Sequence, residues 1–505
     1  MDIYILGVGM TKFEKSNDPL EKMMASAATT ALHDAQLERV DAIYIGVMNL
    51  EEFVGESDFA TLLGDTLGVV GIPSTRIETV SSTGAGAFGA AFYAVASGHL
   101  KNVLVLGGEK MTHLPAAKLS KILSQAIDRS ERRYGATMPA LAAMMVQKYA
   151  QEFHLSPSKL ENMLAQVAIK NHYNGSLNPY APFRKVITKE EYLKSQMISY
   201  PLRLYDCVPI TDGASALILT SQSTPVKVSG IGHATDTSAV WQRASLTSFN
   251  STKEAAIKAY SMAKRNPSDI HFAEVHDAFT PFEVIGTEDL GLFPRGEGWK
   301  ALQEGTTQLA GELPINPSGG LKSRGYPVGA SGLAQLVEIV WQIRGEAGKG
   351  RQLEKAEVGL AQSIGGLGNS NLVTILERSD QERVITAGWK ADYHPEIKVS
   401  KKVPPSPLNE GVGVLETFTI LYATPEGFRS PLTLGFVKTK GGEKVMACNP
   451  DVHSPKKLKM GRKVYLQPRE GLYVFEKLTF VNRLRQWIRR ALSSVEKDKK
   501  PKHRR

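Results

Sequence analysis

Cysteine is almost missing from this chain: 505 residues hold two, Cys207 and Cys448. Two thiols exclude a disulfide framework and a four-cysteine zinc site, so no metal is expected. No stretch supplies the roughly 18 consecutive apolar residues of a membrane-spanning helix. The opening residues, MDIYILGVGMTKFEK, lack the basic start and long apolar core of a secretory signal. Together these absences give the expectation of a reducing, cytoplasmic setting. Excess charge is also missing, except in one place. The formal net charge is +10, but residues 481–505 hold ten Lys and Arg against Glu496 and Asp498, a balance of +8 that leaves about +2 for the other 480 residues. The rest is ordinary: 42% hydrophobic and 22% charged residues, enough for two or three globular domains.

The stretch RIETVSSTGAGAFGAAFYAVASG at 76–98 organises what is there. Residues 77–80 can end a buried strand, and Ser81-Ser82-Thr83-Gly84 a tight turn. The Gly and Ala that follow make a helix tolerant of close packing. A strand turning sharply into a helix leaves a side chain among unpaired backbone N–H groups. That position suits a nucleophile or an anion, although a serine there can equally be a plain cap.

Strands expected at 3–8, 42–47, 76–80 and 103–107 alternate with helices, which argues for a largely parallel α/β sheet over residues 1–225. Residues 114–199 turn helical and polar, the pattern of an inserted lobe. Residues 226–378 repeat the alternation, with helices expected at 252–264, 281–290 and 333–345 and strands at 226–230, 270–275, 358–362 and 371–376. The halves read as one plan used twice.

Seven stretches carry a resemblance by their order and spacing. They are VSSTGAGAF at 80–88, VLGGEKMT at 105–112, NHYNGSLNPYA at 171–181, YDCVPITDGASAL at 205–217, EVHDAF at 274–279, NPSGGLKSRGYPVGASG at 316–332 and QSIGGLG at 362–368. Residues 1–378 resemble the thiolase superfamily in its sterol-carrier-protein-type branch. The resemblance implies a duplicated thiolase fold of five αβαβα layers, usually dimeric, acting on acyl-coenzyme A thioesters. It implies no tightly bound cofactor; coenzyme A enters as part of the substrate.

The departures from the family pattern bear on chemistry. Family members carry a nucleophilic cysteine where this chain has Ser81, and a Gly-His-Pro histidine where it has Tyr326, within Gly325-Tyr326-Pro327. They carry an acid–base cysteine where it has Ser363, beside Gly365 and Gly366. Only His276 keeps its family type. A serine hydroxyl needs an adjacent base to attack a thioester, and the residue that would be that base is the missing histidine. Cys207 sits in the YDCVPITDGA turn and offers no replacement.

Retro-aldol cleavage of a β-hydroxyacyl thioester needs a base on the hydroxyl and stabilisation of the enolate, without an acyl-enzyme. Steroid side-chain-cleaving aldolases of the superfamily resemble this arrangement, with tyrosine in the Gly-Tyr-Pro place. The resulting expectation is a carbon–carbon lyase, running as cleavage or as aldol condensation. His276 would polarise the thioester carbonyl and Tyr326 would move the proton, while Ser81 and Ser363 shape the pocket. A free tyrosine titrates near 10, so the site would have to lower that value or relay the proton, with His276 as a source of positive potential. Gly325, Gly365 and Gly366 are expected against the substrate, with Lys118, Lys121, Arg132 and Arg184 as phosphate contacts by charge alone. Acyl transfer by Ser81 and a non-catalytic scaffold for a partner enzyme stay open.

Past residue 378 the character changes. Residues 379–409 read as a linker and 410–478 as an all-β barrel, similar to the OB-fold domains that accompany thiolase-like proteins. Relatives of that barrel often begin with a zinc ribbon; here residues 389–403 hold no cysteine. Phe418, Tyr422, Phe436 and Tyr473 alternate along the strands, as core or docking residues do, so no specific nucleic-acid binding is expected. A hydratase or dehydratase partner on the barrel stays open. In the tail, 479–505, Phe480, Leu484, Trp487, Ile488 and Leu492 share one helical face among arginines. That is the pattern of an interfacial helix on an anionic membrane, or of an apolar stripe docked on the protein.

Overall fold

A computed structural model of the chain describes residues 1–379, 410–425, 427–469 and 471–478. The expected linker and the tail beyond residue 478 therefore lie outside the described residues. In chain order the first strands are β1 (Ile3–Met10), β2 (Ala42–Gly46), β3 (Ser74–Ile77), β4 (Asn102–Glu109), β5 (Met197–Ser199) and β6 (Leu202–Arg203). Next come β7 (Gly213–Thr220), β8 (Val226–Thr235), β9 (Phe272–Glu274), β10 (Val358–Gly365) and β11 (Ser370–Arg378). The last are β12 (Gly411–Leu421), β13 (Leu432–Thr439), β14 (Lys444–Asn449), β15 (Lys463–Arg469) and β16 (Leu472–Lys477).

Duplication is written in the strand order, β3-β2-β4-β7-β1-β8-β11-β10-β9. Read outward from the β1–β8 junction, one side runs β1-β7-β4-β2-β3 and the other β8-β11-β10-β9. Both sides begin with two antiparallel pairings and continue with a parallel one. The junction joins only Ile3 with Val228 and Tyr4 with Lys227. Alternating side chains set the layers. Leu104, Leu106, Ala216 and Ile218 face one outer helical layer, and Ala273, Leu360 and Ile375 the other. Val103, Val105, Leu217 and Leu219 meet Phe272, Ala361 and Leu376 in a shared inner core.

That inner core is filled by two helices, Thr83–Ala96 and Val328–Arg344. Each precedes the corresponding strand of its half, β4 or β10. Helix Val328–Arg344 starts five residues earlier than its apolar periodicity suggests, because glycines and Ala330 form its first turn. These five αβαβα layers are the expected duplicated α/β fold, but the sheet is not the largely parallel one expected. Five of its eight strand pairings are antiparallel, because β1, β7, β8 and β11 run against their neighbours.

The inserted lobe reads as polar, yet its helix Met138–Glu152 is largely buried. Helix Met138–Glu152 is capped by the Thr137 hydroxyl and helix Pro157–Ser176 by that of Ser156. The barrel covers the lobe, which explains the difference. Strands β12 to β16 close in the order β13-β14-β16-β15-β12, with β13 returning to β12, an OB-like barrel. The end of β12 adds to the lobe's β5, Leu421 opposite Ser199. Thr417 donates to the Met144 carbonyl at 2.8 Å, and Gln147 donates to that of Phe418. Leu421, Leu434, Phe436 and Met446 join Leu141, Met144 and Met145 in one core, each contributing on the order of 1.5–3 kcal/mol by burial. Phe418 and Tyr473 fill the barrel's own core.

Candidate active site

Strand β3 ends three residues before Val80, which adopts φ 60°, a left-handed conformation costly for a β-branched side chain. This kink delivers Ser81 to the start of helix Thr83–Ala96. Hydroxyls hold the turn: Thr83 Oγ1 accepts from Thr79 N at 2.8 Å, and Ser82 Oγ reaches the Ser370 carbonyl at 2.9 Å. Ser82 thereby ties the turn to the strand pair carrying Ser363 and Gly365. A Cβ on Gly365 would collide with Thr79 and Ser82.

Tyr326 stands one residue before the helix-leading Pro327 of the second half, held by its backbone N–H donating to Thr211 Oγ1 at 2.8 Å. Gly325 has φ 102° and is packed against Phe13 and Thr211, so it shapes the turn. His276 follows β9. Its neighbour Asp277 accepts from Leu321 N at 2.6 Å and from Asn171 Nδ2 at 2.7 Å. Asn174 and Asn178 donate to the carbonyls of Asn316 and Ser318, both at 2.9 Å. Asp212 accepts from Met111 N and Thr112 N at 2.7 and 2.9 Å. The seven sequence stretches converge through these polar ties.

Their product is a buried chain of three side chains. The Tyr326 hydroxyl lies 3.3 Å from His276 Nε2, and the Ser81 hydroxyl acts on the same phenol, lowering its pKa against the effect of burial. The Tyr326 and His276 rings meet edge to face at 5.6 Å. Ser363 Oγ lies between the two inner helices, close to Gly332 and Ala85, and has no partner among the described residues; nor has His276 Nδ1.

The electrostatics differ from the sequence expectation. Burial pushes the Tyr326 phenol above its ordinary value, against the lowering effect of the Ser81 hydrogen bond. Burial, seconded by the Arg324 charge, holds His276 down to about 3. His276 is therefore neutral and supplies no positive potential to lower the phenol. The site holds a protonated tyrosine beside a neutral imidazole.

Sequence reasoning passed over Glu109, which ends β4. Its Oε2 accepts from Met48 N and from Gly329 N, both at 3.1 Å, clasping the helix start three residues after Tyr326. Burial raises this carboxyl well above its usual range. A carboxylate closing the apolar run NVLVLGG was the available signal. The expected phosphate contacts are scattered. Lys118 and Lys121 are exposed on helix Ala116–Leu123, and Arg132 is half-buried nearby. The Ala126 carbonyl is next to Gly366, which places this rim by the glycine loop. Arg184 stands elsewhere, bonded to the Ser176 carbonyl at 3.3 Å and lining a cavity of about 410 Å³ with Tyr180 and Trp341.

Fold and site define a two-half α/β enzyme whose candidate site side chains meet between the halves. The description "Thiolase, N-terminal domain" matches residues 3–223, and "Thiolase C-terminal domain-like" matches residues 232–378. The chain belongs to the thiolase family. It is 40% identical over 388 residues to an acetyl-CoA acetyltransferase of Methanothermobacter thermautotrophicus, spanning 75% of this chain and 100% of that protein. It is 33% identical over 398 residues to human sterol carrier protein 2, spanning 74% of this chain and 71% of that one. Among solved structures, the Ltp2-ChsH2(DUF35) aldolase superposes with TM-score 0.64 at 23% identity, over 76% of this chain and 99% of that chain. A monomeric SCP2-thiolase-like protein of Mycobacterium smegmatis superposes with TM-score 0.71 at 17% identity, over 94% of this chain and 99% of that chain. At these identities the two structures speak for the fold alone.

Proposed function

We propose that this thiolase-like enzyme of acyl-CoA thioesters is a carbon–carbon lyase that cleaves, or by condensation forms, a β-hydroxyacyl-CoA. The observation that carries the reading is the Ser81–Tyr326–His276 chain, in which a tyrosine hydroxyl occupies the centre and no thiol is within it. In cleavage, the β-hydroxyl proton passes to the phenolate form of Tyr326 as the Cα–Cβ bond breaks. The bonding pair moves into the thioester enolate, the β-carbon becomes a carbonyl, and Cα then takes up the proton that Tyr326 gained, which restores the phenolate. His276 Nε2–H polarises the thioester carbonyl, while Ser81 stabilises the phenolate by its hydrogen bond. Condensation runs the same steps backwards, with the phenol as acid.

Acyl transfer through Ser81 is the second reading. It is favoured by the strained Val80, which presents Ser81 as a nucleophile would be presented, and by the name of the 40%-identical relative. Against it, the side chain that meets Ser81 is a phenol raised above its ordinary value, a poor base at neutral pH. A homodimer belongs to the proposal, since β3 ends the sheet as a half-exposed edge strand. The deciding experiment offers acyl-CoAs with and without a β-hydroxyl. A lyase turns over only the first; turnover of 3-ketoacyl or acetyl-CoA would favour transfer, and no turnover with either would leave a scaffold.

A further inference from the structure

The barrel carries a basic face with few ion pairs among the described residues. Lys444, Lys438, Val414 and Lys463 stand directly opposite one another across β14, β13, β12 and β15, so they form one row on one face. Lys438, Val414 and Lys463 are exposed, while Lys444 donates to the Arg243 carbonyl at the edge of the body. Like charges opposed in a ladder destabilise it, so this row costs the barrel stability. The segment leading into the row, PKKLKMGRK at 455–463, adds Lys456, Lys457, Lys459 and Arg462, all exposed, and contains no acid. Neither these four nor Lys438 and Lys463 form an ion pair among the described residues; Lys444 alone lies near a carboxylate, Glu416, at 3.9 Å.

We infer that this face is a docking surface for an anionic lipid bilayer. Three observations select that occupant. First, the barrel aromatics Phe418, Phe436, Tyr465, Tyr473 and Phe475 are buried, and Tyr422 and Phe428 are half-buried. None stands in the lysine row, so bases have no platform there to stack on, as single-stranded nucleic acid requires. Second, Val414 is the lone apolar side chain in the row. A protein partner would find no aromatic or aliphatic anchor there, whereas a charged headgroup layer needs none. Third, Lys477, where β16 ends, pairs opposite Val464, next to Lys463. The chain therefore leaves the barrel beside Lys463, and its onward sequence has Phe480, Leu484 and Trp487 and ten Lys and Arg in residues 481–505. A polybasic face and a basic amphipathic sequence are two membrane signals in one chain.

The test is cosedimentation of the full chain with phosphatidylcholine vesicles containing about a third phosphatidylserine, at low salt and near 0.15 M salt. Each lysine near such a surface contributes about 1 kcal/mol, or roughly fivefold in affinity. The triple variant Lys438→Gln, Lys459→Gln, Lys463→Gln should bind about 10²-fold more weakly with a melting temperature no lower than the parent's. A chain ending at residue 478 should keep salt-sensitive binding that the same three substitutions remove. Parent-like binding by the triple variant overturns the inference, and so does tighter retention on a single-stranded oligonucleotide than on the vesicles at equal salt.

Discussion

Gly84 leaves no room for a Cβ beside the carbonyl oxygen of Gly329, so the helix that follows Ser81 and the helix that follows Tyr326 touch backbone to backbone at their first turns. This contact sets the reactive distances. One helix belongs to each half of the duplicated sheet, so the two polar side chains they introduce meet in a space too small for a third element. A larger residue at Gly84 would push against the Gly329 carbonyl and so part the two helices, whereas one at Gly329 would meet the Gly108 and Gly46 carbonyls instead.

Removing only the phenol oxygen tests the central role. Tyr326→Phe should lower cleavage roughly 10²–10⁴-fold, the range for a lost acid–base group. Acyl-CoA affinity should hold because the ring still fills its place. Equal rates for variant and parent would make Tyr326 a packing residue.

Acidity gives a second test with a defined sign. Burial keeps the phenol protonated at neutral pH. Cleavage requires the phenolate, so its rate should climb about tenfold per pH unit through the neutral and alkaline range. Condensation crosses the same transition state, so its kcat/KM should climb with the same slope, the ratio of the two being a pH-independent equilibrium constant. His276, held to about 3, should add no step in either profile above pH 5. A cleavage profile that levels off near neutrality would mean that another base takes the proton.

Ser81 separates the two readings. In the lyase it only donates to Tyr326, so Ser81→Ala should keep activity within about tenfold, one hydrogen bond's worth. No acyl adduct should be found on Ser81 by mass spectrometry. A stable adduct there would replace the lyase by acyl transfer.

Much of this site was legible in the sequence, because its residues sit in motifs that a fold of this kind brings together: Ser81 at a strand–helix turn, His276 after β9, Tyr326 before a helix. Other features were not legible. Whether Tyr326 is more or less acidic than usual depends on burial and on the neutral state of His276, neither of which sequence spacing encodes. The row of Lys438 and Lys463 exists only through cross-strand register, and residues 25 apart in sequence gave no hint of it. Val80 reads as an ordinary strand residue, and its strain is a property of the turn it closes. The lobe's polar composition hid a face that the barrel buries.

Glu109 should behave as a buried neutral acid. Its folded-state value is raised, so the stability it contributes is present below the unfolded value near 4.3 and is lost as pH rises toward the folded one. Glu109→Gln keeps an acceptor for Met48 and Gly329 and has no proton to lose. Its stability relative to the parent should therefore grow with pH, by up to about 1.4 kcal/mol per unit. Urea titrations near pH 5 and pH 8 measure the gap, and a constant gap would mean that Glu109 is ionised in the fold. Glu109→Leu removes the acceptor and should cost about 1–3 kcal/mol for each unpaired N–H.

The strand β12, laid beside β5 with Leu421 opposite Ser199, has a consequence for stoichiometry. A barrel made as a separate chain would have to find its lobe by diffusion, and a dilute pair would come apart. Encoded in the same polypeptide, the barrel meets its lobe at an effective concentration on the order of millimolar, whatever the amount of protein in the cell. Every catalytic unit then carries one barrel, and a contact too weak to survive between free partners suffices.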